Sequence, residues 1–108
     1  MKKIVVITSL LFCSQVLADY NANIISKVTE VITYTHSTQI YFRLDNQPYS
    51  HPICKTDYFA IDASTPDNIR QQVLARLLTA YANGSPVNIG FDKEGDCSHG
   101  RIKVYRVG

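Results

Sequence analysis

One stretch of this 108-residue chain admits a single local structure, and its surroundings have to fit it. It opens with Thr65-Pro66-Asp67. That sequence supplies a hydroxyl to cap free amides, a proline at the first helical position where its missing N–H costs nothing, and a carboxylate at the positive end of the dipole. Ile69, Val73, Leu77 and Tyr81, with Leu74 and Leu78 beside them, then recur at helical spacing and predict one apolar stripe. Asn83-Gly84 ends the helix, with Gly84 adopting the left-handed terminal conformation, and Pro86 blocks continuation.

The flanks read as strands. Ile24 to Tyr34 is rich in Val, Ile and Thr, but its alternation slips around Val31-Ile32, as happens at a β-bulge or bend in a long strand. From Thr38 to Asp45 the pattern is cleaner, with Ile40, Phe42 and Leu44 on one face and Gln39, Tyr41, Arg43 and Asp45 on the other. Pairing Ile32/Tyr34 with Ile40/Phe42 makes a hairpin around His36-Ser37. The polar run from Asp45 to Asp57 contains Pro48 and Pro52 and reads as a loop, followed by a third strand over Tyr58 to Asp62. After the helix, Val87, Ile89 and Phe91 mark a fourth strand, Asp92 to Gly100 a polar turn, and Ile102 and Val104 a fifth strand. Three strands, one helix and two strands, with a long bent first strand, is the order of the OB-fold, an all-β five-stranded Greek-key barrel. An α+β roll, with the helix on an open antiparallel sheet, uses the same elements and is the alternative.

Residues 1–18 have the zones of a Sec signal peptide: Lys2 and Lys3, an apolar run from Ile4 to Phe12, and the small-residue exit Val16-Leu17-Ala18. Cleavage is expected after Ala18, leaving residues 19–108 as one domain in the periplasm or outside the cell. The apolar run is too short to span a bilayer, so no membrane span is expected. Cys13 leaves with the signal peptide, and Cys54 and Cys97 remain in an oxidising compartment, where they are expected to pair. Loss of Lys2 and Lys3 takes the formal net charge from +2 to about zero, and the remaining Lys and Arg are scattered. No basic stripe is left to displace counterions, so nucleic acid is not an expected partner.

The chain contains no nucleophile elbow, no zinc-protease helix motif and no phosphate-cradling glycine loop. His36, His51 and His99 fit no metal spacing, and Asp92, Glu94 and Asp96 lack the length and closing Glu of a calcium loop. Neither catalysis, a metal nor another cofactor is expected. Seven tyrosines in so short a chain point instead to a contact surface, since Tyr offers an apolar face and a polar tip at low entropy cost.

The export signal, the stretch Leu44-Asp45-Asn46-Gln47-Pro48-Tyr49 and the passage Leu77-Leu78-Thr79-Ala80-Tyr81-Ala82-Asn83-Gly84-Ser85-Pro86-Val87-Asn88-Ile89 carry a resemblance. In the last passage a helix ends in Gly-x-Pro-Val and runs straight into a strand. Together these features resemble the small OB-fold B subunits of bacterial AB5 toxins, most closely the subtilase-cytotoxin B and pertussis-like types, and small exported proteins similar to them. The chain departs from that pattern in having no Trp and a single cysteine pair after processing. The resemblance implies a ring of five subunits that binds glycans through a shallow pocket near the first strands and rim loops, with an exported partner protein. By position, His36, Ser37, Tyr49 and Lys55 are the candidates for polar ligand contacts, and Tyr41 and Arg43 for an exposed sheet face that forms an interface. The alternative function is a periplasmic protein-interaction or inhibitor protein.

Overall fold

The computed structural model describes residues 20–108; the signal segment with its cleavage point, and Cys13, lie outside the described residues. The elements are β1 (Ala22–Thr33), β2 (Ile40–Leu44), β3 (Lys55–Ile61), α1 (Asp67–Asn83), β4 (Pro86–Phe91), β5 (Cys97–Ser98) and β6 (Arg101–Val107). Strand order is β3-β2-β1-β4-β6-β5, and a further pairing of β3 with β6 closes β1, β2, β3, β6 and β4 into a barrel. That parallel contact decides between the two expected architectures, because an open roll leaves β3 and β6 as edges. The fold is an OB-like barrel with one helix, and β5 is a two-residue arm hairpinned onto β6.

β1 serves both halves of the barrel. Ala22 to Lys27 pairs with β4, and Val28 to Thr33 pairs with β2. Between Val28, opposite Leu44, and Glu30, opposite Arg43, Thr29 is an extra residue. This bulge switches parity, so that Ile24 and Val28 pack inward before it and Val31 after it. It lies a little upstream of the slip read at Val31-Ile32. The same shift corrects the hairpin register, because Ile32 lies opposite Tyr41, and Val31 opposite Phe42. A one-residue change of register exchanges the two faces, so Ile32 shares the outer face with Tyr41.

The core is built from Phe42, Leu44, Phe59, Leu77, Ile89 and Ile102, each essentially without exposure. Phe42 stacks on Phe59, which meets Phe91 edge-on, with ring centroids 5.5 and 5.3 Å apart. α1 contributes little to this core. Leu77 and Ala80 are buried, with Val73 and Leu74 partly covered, while Ile69, Leu78 and Tyr81 of the expected stripe face solvent. Small Ala80 lets the helix lie close along a narrow line of contact, and no described residue covers the wider stripe.

The two helix ends are closed differently. Gly84 has φ +67° and donates its N–H to Ala80 O, as does Ser85, in the C-terminal cap expected. At the other end Pro66 is the cap residue and makes no side-chain cap bond, so Thr65 does not cap. Arg70 braces the turn instead. Its backbone N–H donates to Pro66 O, its Nη1 to Thr65 O at 2.7 Å, and its Nη2 pairs with the Asp67 carboxylate. The third strand also begins earlier than Tyr58, at Lys55, since its polar opening Lys55-Thr56-Asp57 carries no apolar signal.

Cys54, just ahead of β3, and Cys97, in β5, form a disulfide with Cα atoms 5.6 Å apart. The bond ties the β2–β3 loop to the β5–β6 hairpin. That hairpin turns on His99 and Gly100, with φ of +49° and +81°, the left-handed pair that a two-residue turn between twisted strands requires.

Candidate binding face

The outer face where β1, β2, β3 and β6 meet carries a continuous run of aromatic rings. Tyr34, just past β1, meets Tyr41 of β2 edge-on at 5.8 Å, and Tyr41 stacks on Tyr58 of β3 at 6.0 Å. His36 lies edge-on to Tyr34 at 5.7 Å. The Arg101 guanidinium of β6 covers Tyr41 from 5.1 Å, a cation–π contact. Strand alternation does place Tyr41 outward, but these neighbours reduce its exposure to 8%. Tyr41 is therefore not the exposed interface residue expected, and Tyr34, at 40%, is the ring this face offers to solvent.

The charges around the rings are fixed by one another. Arg101 Nε and Nη2 donate to the two carboxylate oxygens of Asp57, each at 3.0 Å. Exposed Arg43 donates Nη1 to the Asp57 carbonyl at 2.6 Å. The Arg101 hydrogen bonds hold the Asp57 carboxyl below its ordinary range, and Asp57 in turn raises Arg101. Desolvation, then the carboxylates of Glu30 and Asp57, push the Tyr58 hydroxyl up, and it donates to Glu30 Oε2 at 3.5 Å. The register of β3 against β6 skips from Lys55 opposite Arg101 to Phe59 opposite Ile102. This irregularity sets Asp57 and Tyr58 out of the ladder and onto the face.

The four expected ligand residues divide between the two ends of β2. His36 and Ser37 lie in the β1–β2 turn beside Tyr34, where Ser37 Oγ accepts the Gln39 N–H at 3.0 Å. Tyr49 and Lys55 lie beyond the other end. Tyr49 is 94% exposed in the β2–β3 loop, and Lys55 is exposed with its backbone N–H bonded to Gly100 O. His51 holds that loop down. Its Nδ1 accepts the Ile53 and Cys54 N–H groups, which leaves Nε2 as the donor to Asp92 O at 3.0 Å.

A polar network at the His36 end of the barrel had no counterpart in the sequence reading. Buried Gln39 donates Nε2 to Ser98 Oγ at 2.8 Å and accepts the Ala63 N–H, and Ser98 donates to Asp62 Oδ1 at 2.5 Å. Ser64 donates both N–H and hydroxyl to the other Asp62 oxygen. The Ser64 and Ser98 hydroxyl bonds take the Asp62 carboxyl down to about 2. A Gln on the nominally polar side of a strand gives no local sign that it will be covered, so only the long-range fold reveals it.

Among the described residues, no three His, Cys, Asp or Glu side chains converge as metal ligands. The acidic turn is occupied internally, with Asp92 Oδ1 accepting the Glu94 N–H and Asp96 accepting from Tyr105 OH. A groove of about 750 Å³ runs between α1 and the ends of β4 and β6, lined by Val73, Arg76, Ala80, Val87 and Val107 among others. No helix of the described residues is long and apolar enough to cross a membrane. No family model, no curated protein and no solved structure matches the chain.

Proposed function

We propose that this is an exported, non-catalytic binding module that takes a carbohydrate on the outer face of β1, β2, β3 and β6, in the manner of the toxin B subunits it resembles. The observation that carries the reading is the Tyr34–Tyr41–Tyr58 run with Arg101 and Asp57 locked beside it. Sugars need an aromatic surface for their C–H faces and fixed polar groups for their hydroxyls, and a shallow rigid site supplies both. Tyr34 and His36 give the accessible rings, while Ser37, Arg43 and Glu30 give donors and acceptors. Asp57 is neutralised by Arg101, so the face suits recognition better than proton transfer. Self-association into a ring belongs to the same reading, supported by the solvent-facing Ile69, Leu78 and Tyr81 of α1.

A glycan screen of the processed protein beside Tyr34→Ala and Tyr49→Ala tests this. Wild type and Tyr49→Ala are expected to bind the same sugars, and Tyr34→Ala to bind about tenfold more weakly, the worth of one aromatic contact. Binding unaffected by Tyr34→Ala moves the site elsewhere. Export predicts that secreted or periplasmic material begins at Asp19 by mass spectrometry; material still carrying Met1 contradicts it.

One observation favours a second reading, docking onto another exported protein. The β2–β3 loop carries the most exposed aromatic side chain of the described residues on a backbone that is pinned at both ends.

A further inference from the structure

The link between β1 and β2 carries Tyr34, His36 and Ser37, three of the groups set to meet a sugar. Residues 34–39 bend at 35 and 36 and otherwise have no regular structure. Among the described residues, none of these six makes a backbone–backbone hydrogen bond. Tyr34, Thr35, His36 and Thr38 are exposed, and Ser37 is half-buried. The ordering of such a link costs backbone entropy that only side-chain bonds are left to offset.

Those bonds are made at the end of the link that enters β2. Thr38 Oγ1 donates to Ala63 O at 3.1 Å, and the Gln39 N–H donates back to Ser37 Oγ at 3.0 Å. Gln39 is only 3% exposed and uses both ends of its amide: Oε1 accepts the Ala63 N–H at 3.1 Å, and Nε2 donates to Ser98 Oγ at 2.8 Å. Ser98 donates onward to Asp62, the residue before Ala63, so the network closes on itself. A connected polar network under cover is stiff, since each lost bond leaves a buried group unpaired. Glutamine alone brings an acceptor and a donor on one planar group at this reach; a glutamate lacks the donor and sets a second carboxylate against Asp62.

The geometry points to Gln39 as the positioning residue of this face: its buried amide ties the β1–β2 link to Ala63 and Ser98 and so presents His36 and Ser37 to a ligand already ordered. The inference rests on the carbohydrate reading of the face. Gln39 is covered and meets no ligand itself. It acts through Ser37, whose hydroxyl oxygen it engages, and a site ordered before binding loses no affinity to ordering.

Gln39→Met keeps the side chain's bulk and removes both amide bonds, whereas Ser98→Ala removes one and leaves the bond to Ala63. Backbone nitrogen relaxation by NMR, without ligand, reads the link directly. Order parameters at residues 35–38 are expected near about 0.85 in wild type and below about 0.6 in Gln39→Met, with Ser98→Ala between. For the glycan that binds wild type best in the screen above, Kd is expected to rise about tenfold in Gln39→Met and about threefold in Ser98→Ala. Leu77→Ala weakens the core from α1 without removing a bond of this network, and it should change neither readout while folded. If Gln39→Met does not fold, Ser98→Ala carries the same test at smaller amplitude.

Order parameters at 35–38 that stay at the wild-type level in the variants overturn the proposal. So does a looser link with unchanged Kd, or a loss of binding that Leu77→Ala reproduces. A wild type that binds no glycan overturns the carbohydrate reading instead, and the order parameters then decide by themselves whether Gln39 holds the link.

Discussion

Arg101 grips Asp57 through two hydrogen bonds of 3.0 Å across the parallel β3–β6 contact, and the same guanidinium covers Tyr41. One side chain thus fastens the barrel's closure and roofs the aromatic run. An ion pair this accessible to solvent is worth little alone, so Asp57→Ala is expected to cost about 0.5–1 kcal/mol in urea unfolding. Arg101→Ala removes the ring contact and the packing of the arginine stem as well, and is expected to cost about 1–2 kcal/mol. Equal losses would show that the cover over Tyr41 contributes nothing.

Asp62 makes the protein's stability depend on acid. Its carboxyl titrates at about 2 in the folded state against 3.8 without partners, so the folded form binds the proton less readily than the unfolded chain. A depressed folded value stabilises the protein above the unfolded value. That contribution is lost as pH falls from about 4 toward 2. The loss is expected to be on the order of 1 kcal/mol once screening by solvent is allowed for. Denaturation midpoints measured across that range should fall, and Asp62→Asn should lose this component of the slope; an unchanged slope would place the acid sensitivity elsewhere.

The disulfide spans 43 residues of sequence, and on the chain-entropy account opening such a loop costs several kcal/mol. Cys54→Ser or Cys97→Ser is expected to lower stability by about 2–4 kcal/mol. Wild-type protein should show no titratable thiol from this pair before reduction; two equivalents would contradict the bond.

The line of contact under α1 is narrower than the apolar stripe in its sequence. Leu77→Ala is expected to cost about 2–4 kcal/mol by opening a cavity, and Arg76→Ala to stay within about 0.5 kcal/mol. Leu78→Ala, on the solvent side, should resemble Arg76→Ala in a monomer. A Leu78→Ala loss that grows with protein concentration would reveal that the outer face is covered by another copy.

The order of strands, the helix with its Gly84 stop and the cysteine pair were legible because each rests on local chemistry or on elimination. Less was legible wherever distant strands decide the outcome. Alternation assigns Tyr41 to the outer face, yet its burial depends on Arg101, sixty positions along the chain. The bulge at Thr29 could be sensed as a break in parity but not located, since Val28 and Val31 read equally well on either side. For the candidate site, His36 and Ser37 fall beside the aromatic run, whereas Tyr49 and Lys55 do not, because loop residues carry no signal of which barrel end they reach. Tyr58, Asp57 and Arg101 carry no local signal, because Asp57 and Tyr58 leave the ladder only where β3 meets β6.

The pairings of β6 also have a consequence in time. Arg101–Val107 bonds to β4, to β5 and, in parallel, to β3, so it completes the closed ring of strands. Contacts this far apart in sequence form late, because the loop entropy is spent before they repay it. A chain emerging from its N-terminus can assemble β1, β2 and β3 into a meander and still hold an open edge on β3. That edge is shielded only when β6 arrives, so a newly made chain stays open to unfolding, and to capture by whatever escorts it, until β6 has been made.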